Sequence, residues 1–174
     1  MTVTENIHVP GSSTTYRLHG KRDVVFERSY PAPPAQVFST FCDAELVGKW
    51  WGSQGAKLEV IEMDVRTGGG WRFVETDAKG KKSTFHGEYR EVEPGRRIVS
   101  TLCYGASAAS KLFAVRETYE FLPSEGGTLL RLTSSYPMRP ALKGMLSVGM
   151  ETPGDFTEGS RHQWRLDRLA EEVR

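Results

Sequence analysis

The sequence predicts an α+β domain in which one long helix covers the concave face of a curved antiparallel sheet of six or seven strands. Between residues 57 and 136, strand-like segments follow one another across short turns rich in Gly and Pro, with no helical pattern between them. Such an order favours an antiparallel meander over parallel crossover units. The chain then ends in a segment with apolar residues at helical spacing, which predicts the covering helix.

Length and composition restrict the classes of protein to be considered. The 174 residues carry a net charge of +1, so we expect one domain with no broad basic surface, and neither nucleic acid nor a membrane as partner. Residues 1–15 are polar and predict a mobile N-terminal arm before a single domain over residues 16–174. No signal peptide and no apolar run of about 18 residues is found, and the two cysteines lie outside metal-binding spacings, so a cytoplasmic location is expected.

The N-terminal part predicts a strand followed by two short helices. A strand is expected over Lys21–Tyr30, and the prolines that follow it end the strand. Apolar residues at helical spacing then predict a helix over Pro34–Cys42. Asp43 is placed to cap a second short helix over Ala44–Trp50. Two consecutive helices between strands predict a clamp rather than a parallel crossover.

The rest of the chain predicts six further strands and the final helix. A capping pattern at Asp155–Glu158 places the start of this helix near Phe156, and its apolar stripe consists of Leu166, Leu169, Ala170 and Val173. The predicted strands are bounded by turn residues and cover Leu58–Met63, Trp71–Glu75, Thr84–Val92, Arg97–Tyr104, Leu112–Leu122 and Thr128–Tyr136.

This architecture predicts an internal cavity, because one helix is not expected to fill the concave side of a strongly bent sheet. We expect an apolar space of roughly 300 Å³ or more. Which residues of each strand face inward stays open, since a slip of one residue exchanges the two faces. The candidate ligand-binding residues are mainly aromatic side chains of the helical clamp and the strands, with two from the C-terminal region: Trp51, Trp71, Phe73, Phe85, Tyr89, Tyr119, Met150 and His162.

Motifs for cofactors, metals and nucleophilic catalysis are not found. Gly68–Gly70 precedes a strand and therefore predicts a turn, not a phosphate-binding loop. The four histidines are far apart and have no metal-ligand spacing. We therefore assign no catalytic residue and no metal ligand, and we expect no cofactor.

Several segments, in order along the chain, carry a resemblance to a known group of proteins. They are Arg28–Pro33, Val37–Phe38, Trp50–Gly52, Glu62–Gly69, Trp71–Phe73, Gly87–Arg97, Gly149–Glu151 and Leu166–Leu169. Together they resemble the helix-grip superfamily that includes START and Bet v 1-type proteins. Within it they resemble proteins similar to the C-terminal domain of the activator of Hsp90 ATPase. The resemblance spans about residues 16–172 and implies a helix-grip fold with a deep hydrophobic cavity.

Three functions follow as hypotheses. The leading one is binding of a small lipid-like or aromatic molecule in the cavity. A cyclase or hydrolase would need a buried polar pair, such as His86 or His162 with a carboxylate or a tyrosine. A co-chaperone-like module would need an exposed patch, with Trp50, Trp51 and Trp164 as candidates. A chaperone partner is disfavoured but stays open, because the activator has a further domain that this chain is too short to contain; a homodimer also stays open.

Overall fold

The computed structural model describes the backbone of residues 7–8, 12–138 and 158–173, and the side chains of residues 12–138 and 162–173. Over these residues it shows nine strands and three α-helices, with one 3-10 helix at Ala108–Phe113. The strands are β1 Ile7–His8, β2 Thr15–His19, β3 Asp23–Tyr30, β4 Lys57–Met63, β5 Gly70–Thr76, β6 Lys82–Glu93, β7 Arg97–Tyr104, β8 Val115–Ser124 and β9 Gly127–Ser135. The helices are α1 Pro34–Phe41, α2 Ala44–Trp50 and α3 Glu158–Glu172.

All described strands form one antiparallel sheet in the order β1-β2-β3-β9-β8-β7-β6-β5-β4. The stretch from β4 to β9 is an uninterrupted meander, which confirms the predicted topology. Helices α1 and α2 lie between β3 and β4, so the chain passes from the middle of the sheet to its far edge through the predicted clamp. The fold class is therefore confirmed, and the covering helix is α3.

The strand count of six or seven is too low, because the two N-terminal strands were not predicted. Strand β2 pairs with β3 over five residues, and β1 adds two more residues at the sheet edge. Only Tyr16 and Leu18 alternate as apolar residues in β2, which is too short a pattern to separate from a polar arm. Backbone pairing defines these edge strands, since β2 pairs with β3 and β1 pairs with β2.

The last residues of the predicted arm contact α3. The Ser12 hydroxyl donates to Asp167 Oδ2 at 2.6 Å, and the Thr14 hydroxyl donates to Asp167 Oδ1 at 2.8 Å. Thr14 is fully buried, and Arg28 Nη1 lies 3.4 Å from the same carboxylate. Ser12 and Thr14, which belong to the predicted arm, are therefore joined to α3 by hydrogen bonds.

The helical clamp follows the sequence closely. Helix α1 begins at Pro34, where a proline costs no backbone hydrogen bond. Asp43 accepts hydrogen bonds from the backbone N–H groups of Glu45 and Leu46, so the predicted cap of α2 is confirmed. Val47 and Trp50 are buried on the inner side of α2.

One strand boundary is wrong. The predicted strand over Leu112–Leu122 begins only at Val115, because a 3-10 helix occupies the preceding residues. The Ser110 hydroxyl donates to the carbonyl of Ser107 at 2.6 Å and closes this turn. Leu112 is then 72% exposed instead of taking a strand position in the core.

Helix α3 packs its predicted apolar stripe on the sheet. Leu166, Leu169 and Val173 are buried, and the Tyr30 hydroxyl donates to the carbonyl of Leu166 at 2.7 Å. The predicted capping residues 155–157 lie outside the described residues, as does most of the stretch from 137 to 150. None of the helices described here is long and apolar enough to cross a lipid bilayer.

Gly87 on β6 marks a close approach between β6, the β7 backbone and the Trp71 side chain. A Cβ atom at this position would lie 1.8 Å from the carbonyl oxygen of Thr101 and 2.7 Å from Trp71 Nε1. The absence of a side chain therefore lets the Trp71 indole lie across β6. A glycine in a strand interior often marks such a close approach.

We expect Gly87→Ala to lower the free energy of unfolding by roughly 1–3 kcal/mol or more, because the Thr101 backbone cannot move without disturbing β7. Gly48→Ala is the matched control, since a Cβ there meets only the Leu58 carbonyl at 3.8 Å inside α2. That control should raise stability by up to about 1 kcal/mol. Urea unfolding measures both; equal stability of the Gly87 variant and the parent would contradict the close approach.

Candidate functional site

An aromatic wall lies on the inner face of β5 and β6. Trp71 and Phe73 alternate on β5 and Phe85 opposes Phe73 on β6, so the inward faces left open by the sequence are now defined. Trp51, just after α2, packs on all three rings with centroid distances of 5.8, 5.0 and 5.1 Å in edge-to-face geometry. Such aromatic pairs contribute beyond the area that they bury.

A row of polar residues faces this wall from β7, β8 and β9. Ser100, Glu117 and Ser134 are neighbours in the strand register, and each is less than 5% exposed. Glu117 alternates on β8 with Val115 and Tyr119, so a carboxylate occupies a core position. An inward carboxylate is costly unless hydrogen bonds compensate it.

Helix α3 and β8 supply those compensating contacts to Glu117. The Tyr119 hydroxyl donates to Glu117 Oε2 at 2.6 Å, and His162 Nε2 lies 3.2 Å from Glu117 Oε1. Both side chains of the latter pair are 3% exposed or less. His162 therefore points inward, and the contact joins the helix to the centre of the sheet.

Burial changes the acidity of several groups near this site. Desolvation, followed by the charge of Glu117 and the hydrogen bond to it, raises the pKa of Tyr119 well above its ordinary value. Desolvation likewise raises the pKa of Tyr89 and that of Tyr30 far above 10. Burial raises the pKa of the Cys42 thiol to about 12. All four groups therefore keep their protons at neutral pH, and Tyr119 acts as a fixed hydrogen-bond donor.

Arg165 holds Trp51 in place from the helix side. Its guanidinium lies 3.6 Å above the centre of the Trp51 ring, and its Nε donates to the Trp51 carbonyl at 2.6 Å. Arg165 is only 4% exposed, so this cation–π contact is desolvated. Glu75 Oε2 accepts from the backbone N–H of Ser53 at 2.8 Å and fixes the loop that follows Trp51.

The space between the aromatic and polar walls is small. This inner pocket encloses about 30 Å³, enough for one or two water molecules. Its lining residues are Phe41, Val47, Trp50, Trp51, Met63, Trp71, Phe73, Tyr89, Ile98, Ser100, Glu117 and Tyr119. The expectation of roughly 300 Å³ is wrong among the described residues, because aromatic side chains, Trp51 and Trp71 among them, pack together in the concave space.

The structure brings most of the predicted ligand-binding residues together. Five of them line the inner pocket, namely Trp51, Trp71, Phe73, Tyr89 and Tyr119. Phe85 lies behind Trp51, and His162 reaches the pocket through Glu117. Met150 lies outside the described residues.

Glu117, Ser100 and Arg165 belong to the site and were not among the predicted site residues. A signal for Glu117 existed in the sequence: a carboxylate at the same alternating positions as Val115 and Tyr119. The row of Ser100 and Glu117 becomes visible only once the register of β7 and β8 is known.

A second, wider groove lies on the outer face of the sheet and has a volume of about 460 Å³. His86 faces this groove, with its Nε2 3.0 Å from the Ser110 hydroxyl oxygen, and is therefore separated from the inner pocket by the sheet. Buried Cys103 lies opposite His86 in the strand register. Across the described parts of the chain, no three His, Cys, Asp or Glu residues are grouped to hold a metal ion.

The family described as activator of Hsp90 ATPase homolog 1-like protein matches residues 31–173. This match covers most of the chain, from the start of the helical clamp to the end of α3. The chain belongs to this family. No curated protein matches the sequence.

Solved structures of bacterial proteins support the same fold. A protein of Chromobacterium violaceum is 25% identical over 87% of this chain and 97% of its own, with a TM-score of 0.70. A protein of Rhodobacter sphaeroides is 20% identical over 91% of this chain and 95% of its own, with a TM-score of 0.76. The AHSA1 protein of Silicibacter pomeroyi is 19% identical over 86% of this chain and 96% of its own, with a TM-score of 0.63.

We expect Tyr119→Phe to lower the free energy of unfolding by roughly 1–3 kcal/mol at neutral pH, because Glu117 loses a buried donor. Tyr104→Phe removes a hydroxyl from a side chain that is 57% exposed, and should change stability by less than about 0.5 kcal/mol at the same pH. Equal losses in the two variants would contradict the role of the Tyr119 hydroxyl.

The same pair of proteins tests the alkaline pH dependence. Groups whose pKa is raised on folding stabilise the protein below their unfolded pKa, and this stability is lost as pH rises above it. We therefore expect stability to fall from about pH 9, first through Cys42 and above pH 10 through the buried tyrosines. Each group contributes up to about 1.4 kcal/mol per pH unit. Tyr119→Phe lacks one of these groups, so the difference in unfolding free energy between the parent and this variant should become smaller above pH 10. A difference that stays constant would contradict the raised pKa of Tyr119.

Proposed function

We propose that the protein binds a small, mainly apolar molecule in the inner pocket, with Trp51 moving aside to admit it. The buried contact between Glu117 and His162 carries this proposal. A helix and a sheet can be joined by apolar side chains at lower electrostatic cost, so a buried polar contact of this kind is weak evidence for a purely stabilising role. A polar group held at the base of an aromatic pocket is typical of a site that orients a ligand.

Of the side chains that line the inner pocket, Trp51 is the one whose displacement costs the least free energy. Trp71, Phe73 and Tyr89 are carried by strands with neighbours on both sides. Trp51 instead follows α2 and precedes a short loop containing Gly52 and Gly55. Its displacement breaks ring contacts and the Arg165 stack, but no ladder hydrogen bond of the sheet.

The ligand is expected to be about one aromatic ring in size. A dry apolar cavity of about 150 Å³ accommodates benzene, and the pocket holds about 30 Å³ with Trp51 in place. Displacement of the Trp51 indole from the pocket would free a volume similar to that of one aromatic ring. Larger lipids would need the walls carried by β5 and β6 to move as well.

A second candidate is acid–base catalysis on the bound molecule. The hydrogen-bonded series of Tyr119, Glu117 and His162 is buried, and Glu117 lines the pocket. A carboxylate or imidazole in such a place is able to move a proton α to a carbonyl group. Protein-catalysed exchange of the methyl protons of acetophenone in D₂O, lost in Glu117→Gln, supports this candidate; exchange at the buffer rate opposes it.

Protein binding through tryptophan is less well supported. Trp50 and Trp51 are 2% and 5% exposed, and Trp164 is half-buried beside Arg168. The predicted aromatic patch is therefore mostly interior. A chaperone partner and a homodimer stay as alternatives. Native mass spectrometry of protein isolated from its source tests both, and the same measurement detects a co-purifying ligand.

We expect acetophenone to bind the parent protein and to shift the resonances of residues around the inner pocket in ¹⁵N–¹H spectra. Ser100→Val adds volume at the polar wall and should weaken this binding by roughly tenfold or more, because a filled site cannot accept the ring without strain. Thr118→Val, on the outer face of neighbouring β8, is the matched control and should bind as the parent does. Unchanged binding in Ser100→Val, or shifts confined to the outer groove, would refute the proposed site.

A further inference from the structure

The inner pocket holds hydrogen-bond donors that no described protein group satisfies. Trp50 Nε1 and Trp71 Nε1 are buried atoms with no acceptor among the described residues. Both tryptophans line the pocket, and they are 2% and 5% exposed. An indole N–H only donates, and buried tryptophans usually find an acceptor for it. Two such donors beside one pocket point to a ligand that supplies the acceptor.

The position of Trp71 Nε1 places its donor on the inner side of the sheet. The atom lies 2.7 Å from the point that a Cβ of Gly87 would occupy, over the inner face of β6. Because Gly87 has no side chain, the edge of the Trp71 indole fits between Phe85 and Tyr89 of β6. The donor is thus held by the close approach of two strands, not by a mobile loop.

The remaining polar groups of the pocket do not provide the missing acceptor. Glu117 Oε2 accepts from Tyr119, and Glu117 Oε1 lies against His162. Among the described groups, neither the Trp50 nor the Trp71 indole N–H has a hydrogen-bond acceptor.

The charge of Glu117 further restricts the ligand. It lines the same small space as the two indoles. A second negative charge close to it would be repelled strongly in a desolvated site. A neutral acceptor such as a carbonyl or ether oxygen meets the donors without this penalty.

We propose that the ligand of the inner pocket is a small aromatic compound bearing a neutral acceptor oxygen, most simply a ketone or aldehyde, which accepts from the buried indole N–H groups of Trp71 and Trp50. This inference rests on the proposed function, because it names the chemistry of the molecule that the pocket binds. A carbonyl oxygen has two lone pairs and is able to accept from more than one donor.

The test compares two probes of nearly the same shape, acetophenone and α-methylstyrene, in which C=O replaces C=CH₂. We expect acetophenone to bind the parent protein roughly tenfold or more tightly, because the hydrocarbon leaves buried donors unpaired. In ¹⁵N–¹H spectra, the indole resonance of Trp71, of Trp50 or of both should move downfield with acetophenone only. Single Trp→Phe variants assign these resonances.

The outcomes separate this inference from the proposed function. Equal affinity for the two probes, with no downfield indole shift, would leave the pocket as a ligand site and overturn the acceptor assignment. It would indicate that bound water satisfies the donors. Failure of both probes to bind at the inner pocket would overturn the proposed function and this inference with it. An acetophenone preference that persists when its only shifts lie in the outer groove also counts against the inference.

Discussion

The contact between Glu117 on β8 and His162 on α3 is the constraint on which the rest of the structure depends. It places a carboxylate and an imidazole 3.2 Å apart at a depth where both are 3% exposed or less. Removing one partner of such a pair typically costs several kcal/mol. The helix is therefore held over the sheet with its polar contact at one defined position. Tyr119 donates to the same carboxylate and completes the polar wall.

Aromatic side chains complete the interior opposite this polar wall. Trp51 stands edge-to-face against Trp71, Phe73 and Phe85, and Arg165 stacks on its other side. The inner pocket is consequently about 30 Å³ in this structure. In the proposed function, displacement of the Trp51 indole sets the capacity of the pocket, whereas Trp71, Phe73 and Glu117 keep their positions on the strands.

The sequence predicted the parts of the fold that have strong local signals. Asp43 before an apolar helix and glycine-rich turns between alternating strands define their elements without tertiary information. Strands β1 and β2 were missed because they are defined by backbone pairing, β2 with β3 and β1 with β2. Five of the predicted site residues met at one pocket, but its volume depended on side-chain packing. Glu117 and Arg165 acquire their roles only through contacts with distant elements, which a single sequence does not reveal.

The most direct test of this account is a crystal structure of the protein saturated with acetophenone. The account predicts the ring between Trp71 and Tyr119, the carbonyl oxygen within hydrogen-bond distance of a buried indole nitrogen, and Trp51 displaced from beneath Arg165. The Glu117–His162 contact should be retained. Trp51 in its packed position, with the inner pocket closed and acetophenone absent or bound only on the outer face of the sheet, would contradict the account.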